Sequence, residues 1–269
     1  MNAALLLLTD SRLPAGGHGH SGGIEAAVKV GAVHDLPGLA AFLRGRLATV
    51  GLVAAGLAAA ACRLGTGSLP SPPAAEGRQA SGTGPPPPAA EGRRPSVAGT
   101  ARDLPEEGTG QAAPASRSGR WALLDTEADA RTSSPAQREA SRTQGRLLLR
   151  TARRIWPSPV LGVLAGAVPQ GAHHPIALGA VAAAAGCAPE EAALAAAYTS
   201  VTGPATAAVR LLGLDPVAVH RLLADLIPDL ERVAVEVPAD WEALPAHAAP
   251  ALDLLAERHV RAEPRLFVS

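Results

Sequence analysis

DLPGLAAFLRGRLATV, residues 35–50, decides the architecture of this chain. Leu36, Leu39, Leu43, Leu47 and Val50 recur at steps of three and four, the spacing that gathers side chains on one face of an α-helix. Asp35 in front supplies an acceptor for the free N–H groups of the first turn, and Pro37 falls where a missing N–H costs nothing. The same signal returns at Ser134-Pro135, at Ala188-Pro189-Glu190-Glu191 and at Asp215-Pro216, while Gly186 and Gly213 read as helix stops. Only residues 232–237, RVAVEV, alternate even weakly with the period of a strand. The expectation is an all-α, single-domain helical bundle of about eight to ten helices.

Composition narrows the class. The chain is 47% hydrophobic but only 2% aromatic, so its core has to be built from leucine, valine and alanine, and small side chains let helices approach closely. A formal net charge of zero gives no global attraction to nucleic acid or to an anionic membrane. Cys62 and Cys187 sit in alanine-rich apolar segments without C-x-x-C spacing, which reads as two buried, reduced thiols. The run Leu5 to Leu8 has no basic segment ahead of it and is closed by Asp10 and Arg12, unlike a secretory signal. Residues 47–62, between Arg46 and Arg63, have the flanks of a membrane span but fall short of the ~20 strongly apolar residues one needs. They read as a buried bundle helix, and the protein as soluble and cytoplasmic.

From 65 to 119 the sequence turns to proline, glycine, serine and scattered charge, including GTGPPPPAAEGRRPS at 82–96, with no apolar period. Such a segment cannot bury enough surface to offset its ordering entropy. It is expected to be a disordered insertion within one domain made of 1–64 and 120–269. Deleting about Gly67 to Arg117 should therefore leave folding and partner binding nearly intact, with fast hydrogen exchange across the segment in the full chain; collapse on deletion would contradict this.

The chemistry-bearing stretch is LPAGGHGHSGGIE, residues 13–25, with five glycines, two histidines and a serine. Gly19-His20-Ser21-Gly22-Gly23 fits G-x-S-x-G, which would make Ser21 the nucleophile of a serine hydrolase; that elbow, however, follows a central strand, and no sheet precedes it here. His18 and His20 have H-x-H spacing, but two imidazoles are too few for a stable transition-metal site and neither cysteine is near in sequence. The third reading is a shaped loop that starts the helix near Gly22 and packs against the body.

Arg138, Arg142, Arg146, Arg150 and Arg154 recur every fourth residue, giving a slowly winding stripe opposite Ala140, Leu147, Leu148 and Ile155. The stripe reads either as a solvated face or as a basic docking surface for an acidic partner. His173 and His174 precede Pro175 and diverge at a helix start, so His174 reads as a helix-start or core residue and not as half of a metal pair. Lys29 is the only lysine and no G-x-x-x-x-G-K-[ST] occurs, which excludes a Walker-type nucleotide site.

Several of these motifs, in order, resemble the UreF family of urease accessory proteins. LLLLTDSRLPAGGHGHSGGIE (5–25) is similar to its N-terminal signature, EASRTQGRLLL (139–149) to its central helix, and HPIALG (174–179) to a following step. Tyr198, Ala208-Val209-Arg210-Leu211 and Arg265-Leu266-Phe267 resemble its later elements. His18, Asp215, Pro216 and His220 depart from the pattern. The resemblance implies a non-enzymatic maturation factor that binds UreD (also called UreH), recruits the GTPase UreG, forms a homodimer in the complex and enables nickel delivery to apo-urease. Selectivity among divalent ions has to come from such handover, because intrinsic affinities follow a fixed order. No catalytic, cofactor-binding or metal-ligating residue is assigned. Loop-shaping or partner-binding roles are expected for Gly16, Gly17, His20, Ser21, Gly22, Gly23, Glu25, Arg142, Arg146, Tyr198, Arg210, Arg258, His259, Arg265, Leu266 and Phe267. The tail from Arg258 to Phe267, beyond the last helix, is expected to order when UreD binds.

Overall fold

The computed structural model describes residues 2–15, 17–67, 116–244, 246, 247, 249–263 and 266–269. Most of the expected insertion, 68–115, thus lies outside the described residues. The rest is all-α, with no strand among the described residues: α1 Ala4–Thr9, α2 Ile24–Lys29, α3 Leu36–Arg46, α4 Leu52–Thr66, α5 Arg117–Ala130, α6 Pro135–Ile155, α7 Pro159–Ala167, α8 His174–Ala184, α9 Pro189–Leu212, α10 Pro216–Asp225, α11 Ile227–Val235 and α12 Pro250–Val260.

The expected class is right, and the helix count runs higher for a physical reason. α1 and α2 have six residues each, too few to display a period. Residues 232–237 fall in α11 and the turn after it, where Leu230, Val233 and Ala234 are buried at helical spacing, so the alternation carries no strand.

The anticipated caps are in place. Asp35 Oδ1 accepts from the Gly38 N–H at 2.8 Å, Ser134 Oγ from Gln137 at 3.2 Å, and Asp215 Oδ1 from Val217 at 3.0 Å. At α9, where the N-cap is Ala188, Glu191 reaches back to accept from the Ala188 N–H at 2.9 Å. Gly213 closes α9 in the left-handed region at φ +64°.

A π-helical segment, Leu47–Gly51, joins α3 to α4, making one continuous helix from Leu36 to Thr66. This corrects the length argument made from the sequence. The helix has 31 residues and a mean hydropathy of 1.8 in its most apolar window, long and apolar enough to cross a membrane. What occupies its apolar surface is protein, since 67% of that window is buried inside the fold. α4 packs on α8 and α9, and the small-residue core allows backbone to meet backbone: a Cβ added to Gly179 of α8 would lie 2.1 Å from the Ala58 carbonyl oxygen. A second core, including Ile24, Leu39, Leu43, Val201 and Leu226, lies between α2, α3, α9, α10 and α11.

Cys62 and Cys187 are both buried and free, and burial pushes the Cys62 thiol up to about 12. α4 continues to Thr66, and Ser116 caps α5 by accepting from the Gly119 N–H at 3.2 Å. The insertion deletion proposed above therefore has to stop short of Ser116 to spare this cap.

Candidate functional site

The glycine-rich stretch is built as a socket. Gly17–Gly19 form one 3-10 turn, after which Gly22 at φ +62° and Gly23 at φ +90° adopt a left-handed conformation that side chains disfavour. A Cβ at Gly22 would stand 2.7 Å from the Pro204 ring, whereas nothing lies within 4 Å of one at Gly17. Gly22 and Gly17 thus differ in what a side chain would meet. Gly22→Val should lower stability by about 2 kcal/mol or more, combining backbone strain with the clash, and Gly17→Val should be near neutral. Thermal unfolding of the two variants side by side checks this. Gly16 lies outside the described residues.

What fills the socket is the C-terminal segment. Glu25, 2% exposed on α2, accepts from the backbone N–H groups of Leu266 at 2.8 Å and Phe267 at 2.9 Å, and Lys29 Nζ lies 2.9 Å from it. Val268 donates to the Gly19 carbonyl at 2.7 Å, Ser21 N–H donates to the Ser269 carbonyl at 2.5 Å, and His20 Nδ1 is 2.6 Å from Ser269 Oγ. His259 Nε2 sits 3.1 Å from the Phe267 carbonyl oxygen. Phe267 is buried, with the exposed Arg210 guanidinium 6.0 Å from its ring centre. The tail is thus docked on its own bundle within the single chain, contrary to the expectation that it awaits a partner. Backbone donors and Glu25 supply the anchorage, a contact between positions 241 residues apart that no local pattern announces. Arg258 and His259 belong to the last turn of α12, not to a segment beyond it. Arg265 lies outside the described residues, and Leu266 is exposed.

Burial raises the Glu25 carboxyl, but the donors from Leu266, Lys29 and Phe267 outweigh it and hold the group below the usual range. With the folded value depressed, its stabilisation is present above the ordinary glutamate pKa and fades as pH falls through the folded one. Glu25→Ala should free the two N–H groups at a cost of about 1–3 kcal/mol and speed hydrogen exchange at 266–268, while leaving amides of α8 protected.

Ser21 is fully buried; its Oγ accepts from the Glu25 N–H at 3.5 Å, and a 3-10 turn precedes it where a hydrolase elbow needs a strand. The neighbouring imidazole of His20 is engaged with Ser269. Nothing in this geometry supports the hydrolase alternative.

One rung of the arginine ladder turns inward. Arg142, 8% exposed, donates through Nη1 to Asp125 Oδ2 at 2.8 Å and the Gly171 carbonyl at 2.6 Å, and through Nη2 to Asp129 Oδ2 at 2.6 Å. Asp125 Oδ1 accepts from the His173 N–H at 3.0 Å, and His173 Nε2 is 2.8 Å from Asp129 Oδ1. Arg146 binds the Gln170 carbonyl and Glu139, and Arg138 binds the carbonyls of Thr132 and Ser133. Three rungs of the stripe are therefore engaged within the chain, Arg142 buried and Arg146 on the surface; Arg150 and Arg154 are exposed. The buried side of α6 is Arg142, Gly145, Leu148, Leu149 and Ala152, while Ile155, read as apolar contact, is exposed. The sequence reading missed Asp125 and Asp129, an i, i+4 pair on α5. Together with His173 they bring ligand atoms within 4.8 Å of one another, yet Arg142 already supplies the cation there.

Between socket and ladder lies a cavity of about 840 Å³, with His20, Gly22, Arg46, Ser141, His174 and Tyr198 in its wall. His174, helical as expected, has its N–H bound to Ser141 Oγ at 3.0 Å, and burial drives its imidazole down to about 4. Tyr198 is 40% exposed.

Comparison with known proteins closes the identification. The family model described as UreF matches residues 33–227. The urease accessory protein UreF of Mycolicibacterium vanbaalenii is 42% identical over 267 residues, covering 99% of this chain and 98% of that protein. Those of Mycobacterium marinum and Mycobacterium tuberculosis (strain H37Rv) are 39% and 38% identical over the same length, again with 99% of this chain and 98% of theirs covered. With this similarity over nearly its whole length and an all-α fold, this chain belongs to the UreF family.

Proposed function

We propose that this protein is a non-enzymatic accessory factor in urease maturation, which binds UreD (UreH), recruits the GTPase UreG and enables nickel delivery to apo-urease in the cytoplasm, acting as a homodimer within that complex. The observation that carries the reading is the near full-length similarity to proteins named for this role, in a chain without a P-loop. Nucleotide chemistry then belongs to the GTPase partner. The socket that joins the glycine loop to the C-terminal segment, with Tyr198 and Arg210 nearby, is the surface we assign to partner contact. Its parts come from both ends of the chain, so they are presented together only by the folded protein.

The test is co-expression with UreD, UreG and apo-urease, followed by affinity purification and urease assay. A stable complex and urease activation that depends on this chain are expected. Absence of both from well-folded protein would overturn the proposal, and so would labelling of Ser21 by a covalent serine-hydrolase probe.

A further inference from the structure

Arg46 is an arginine whose guanidinium meets no carboxylate among the described residues. It is held at the end of α3 by a consequence of Pro204: a proline inside α9 has no N–H for the carbonyl four residues back, and that carbonyl, Ser200 O, accepts from Arg46 Nε at 2.9 Å. This fixes the guanidinium beside Gly22, where an added Cβ would lie 3.4 Å from Nη2, in the wall of the 840 Å³ cavity. No ion pair forms to Arg46 among the described residues. The two side-chain carboxylates among the described lining residues are engaged elsewhere, Asp10 with Arg12 at 2.8 Å and Asp253 accepting from Gln137 Nε2 at 3.2 Å. Burial lowers Arg46 to about 10 with no neighbouring charge to oppose it, and the nearby His20 and His174 are also pulled down by burial; of the other arginines in the wall, Arg131 is paired with Glu127 and Arg210 stands 6.0 Å from the centre of the Phe267 ring.

One strip of that wall is apolar. Val50, Val53, Ala54 and Leu57 follow Arg46 at steps of four, seven, eight and eleven, one stripe of the continuous helix, and all line the cavity. At ~1.5 Å per residue the stripe extends on the order of 16 Å from the charge. Leu223, Leu252 and Val209 add to it from α10, α12 and α9.

We propose that this cavity is a binding site for a free monocarboxylate with an apolar chain, its carboxylate paired to the Nη groups of Arg46 and its chain lying along Val50, Val53 and Leu57. A planar carboxylate takes two parallel N–H bonds from a guanidinium, and its one negative charge matches the one charge of the half-buried Arg46. The inference goes beyond the accessory role and does not depend on it.

Thermal unfolding and calorimetric titration of the full chain with hexanoate, hexan-1-ol and inorganic phosphate test it. Hexanoate at millimolar concentration is expected to raise Tm saturably by roughly 3 °C or more, with hexanol and phosphate each well below it. Arg46→Met should abolish the shift. Val50→Glu places a carboxylate one helical turn from Arg46, gives the guanidinium an internal partner and should also abolish it; this variant keeps the test open if Arg46→Met fails to fold. No shift with hexanoate, an equal shift with hexanol or with phosphate, or a shift that survives in either folded variant would each overturn the proposal.

Discussion

Arg142→Met is expected to destabilise the protein by about 3–5 kcal/mol, lowering Tm by roughly 10 °C. The reason is what it leaves behind. Asp125, whose side chain is 3% exposed, would keep a charge facing no cation, while the Gly171 carbonyl would lose its donor. Asp129, 41% exposed at its side chain, can recover water, which places the effect toward the lower end of that range. The arginine also joins three elements, since Asp125 and Asp129 belong to α5, Arg142 to α6, and His173 caps α8. Adding Asp125→Asn to the variant should restore part of the loss, because the amide carries no unpaired charge, and the difference between single and double variants measures the coupling. A docking arginine on the surface would behave otherwise: Tm would hold and only partner affinity would fall. An unchanged Tm would therefore refute the buried-hub assignment.

Gly179→Ala should be comparably damaging although it adds a single methyl group. On an exposed helix this change is favourable by about 1 kcal/mol from propensity alone. Here the new Cβ would lie 2.1 Å from the Ala58 carbonyl oxygen and 2.7 Å from the Ala61 Cβ, both in the facing helix α4. Neither is the end of a flexible side chain, so two buried helices would have to separate by an ångström or more, loosening the core on both sides. We expect a net loss of about 3 kcal/mol or greater, or failure to accumulate folded protein. Gly162→Ala on α7, where nothing lies within 4 Å of the added atom, is the control and should be neutral or slightly stabilising. Equal unfolding temperatures for Gly179→Ala and its parent would show that the α4–α8 approach is wrong.

The sequence made the helices legible because their signals are local. Asp35, Ser134 and Asp215 each act on an N–H two or three residues ahead, and Gly213 acts at the helix end where it stands. The buried thiols were equally readable from their alanine-rich surroundings, and the ordered motifs that resemble UreF lead to the family that the comparisons show. The setting of the arginine ladder was not legible for the opposite reason. A period of four places residues on a face, but it does not say whether that face meets water or, as at Arg142, two aspartates from the preceding helix.

By itself, then, the sequence determined what depends on neighbours in the chain: the all-α class, the helix starts and stops, the need for a small-residue core, and the motifs that mark the family. Tertiary structure alone decided what depends on residues brought together from a distance. Glu25 anchors Leu266 and Phe267, Pro204 frees a carbonyl that fixes Arg46, and Arg142 is buried between α5 and the start of α8. The division follows from the range of the forces involved. Caps and helical periods are satisfied within a few residues, whereas the environment of a charge is set by every element packed against it, and that is known only once the chain has folded.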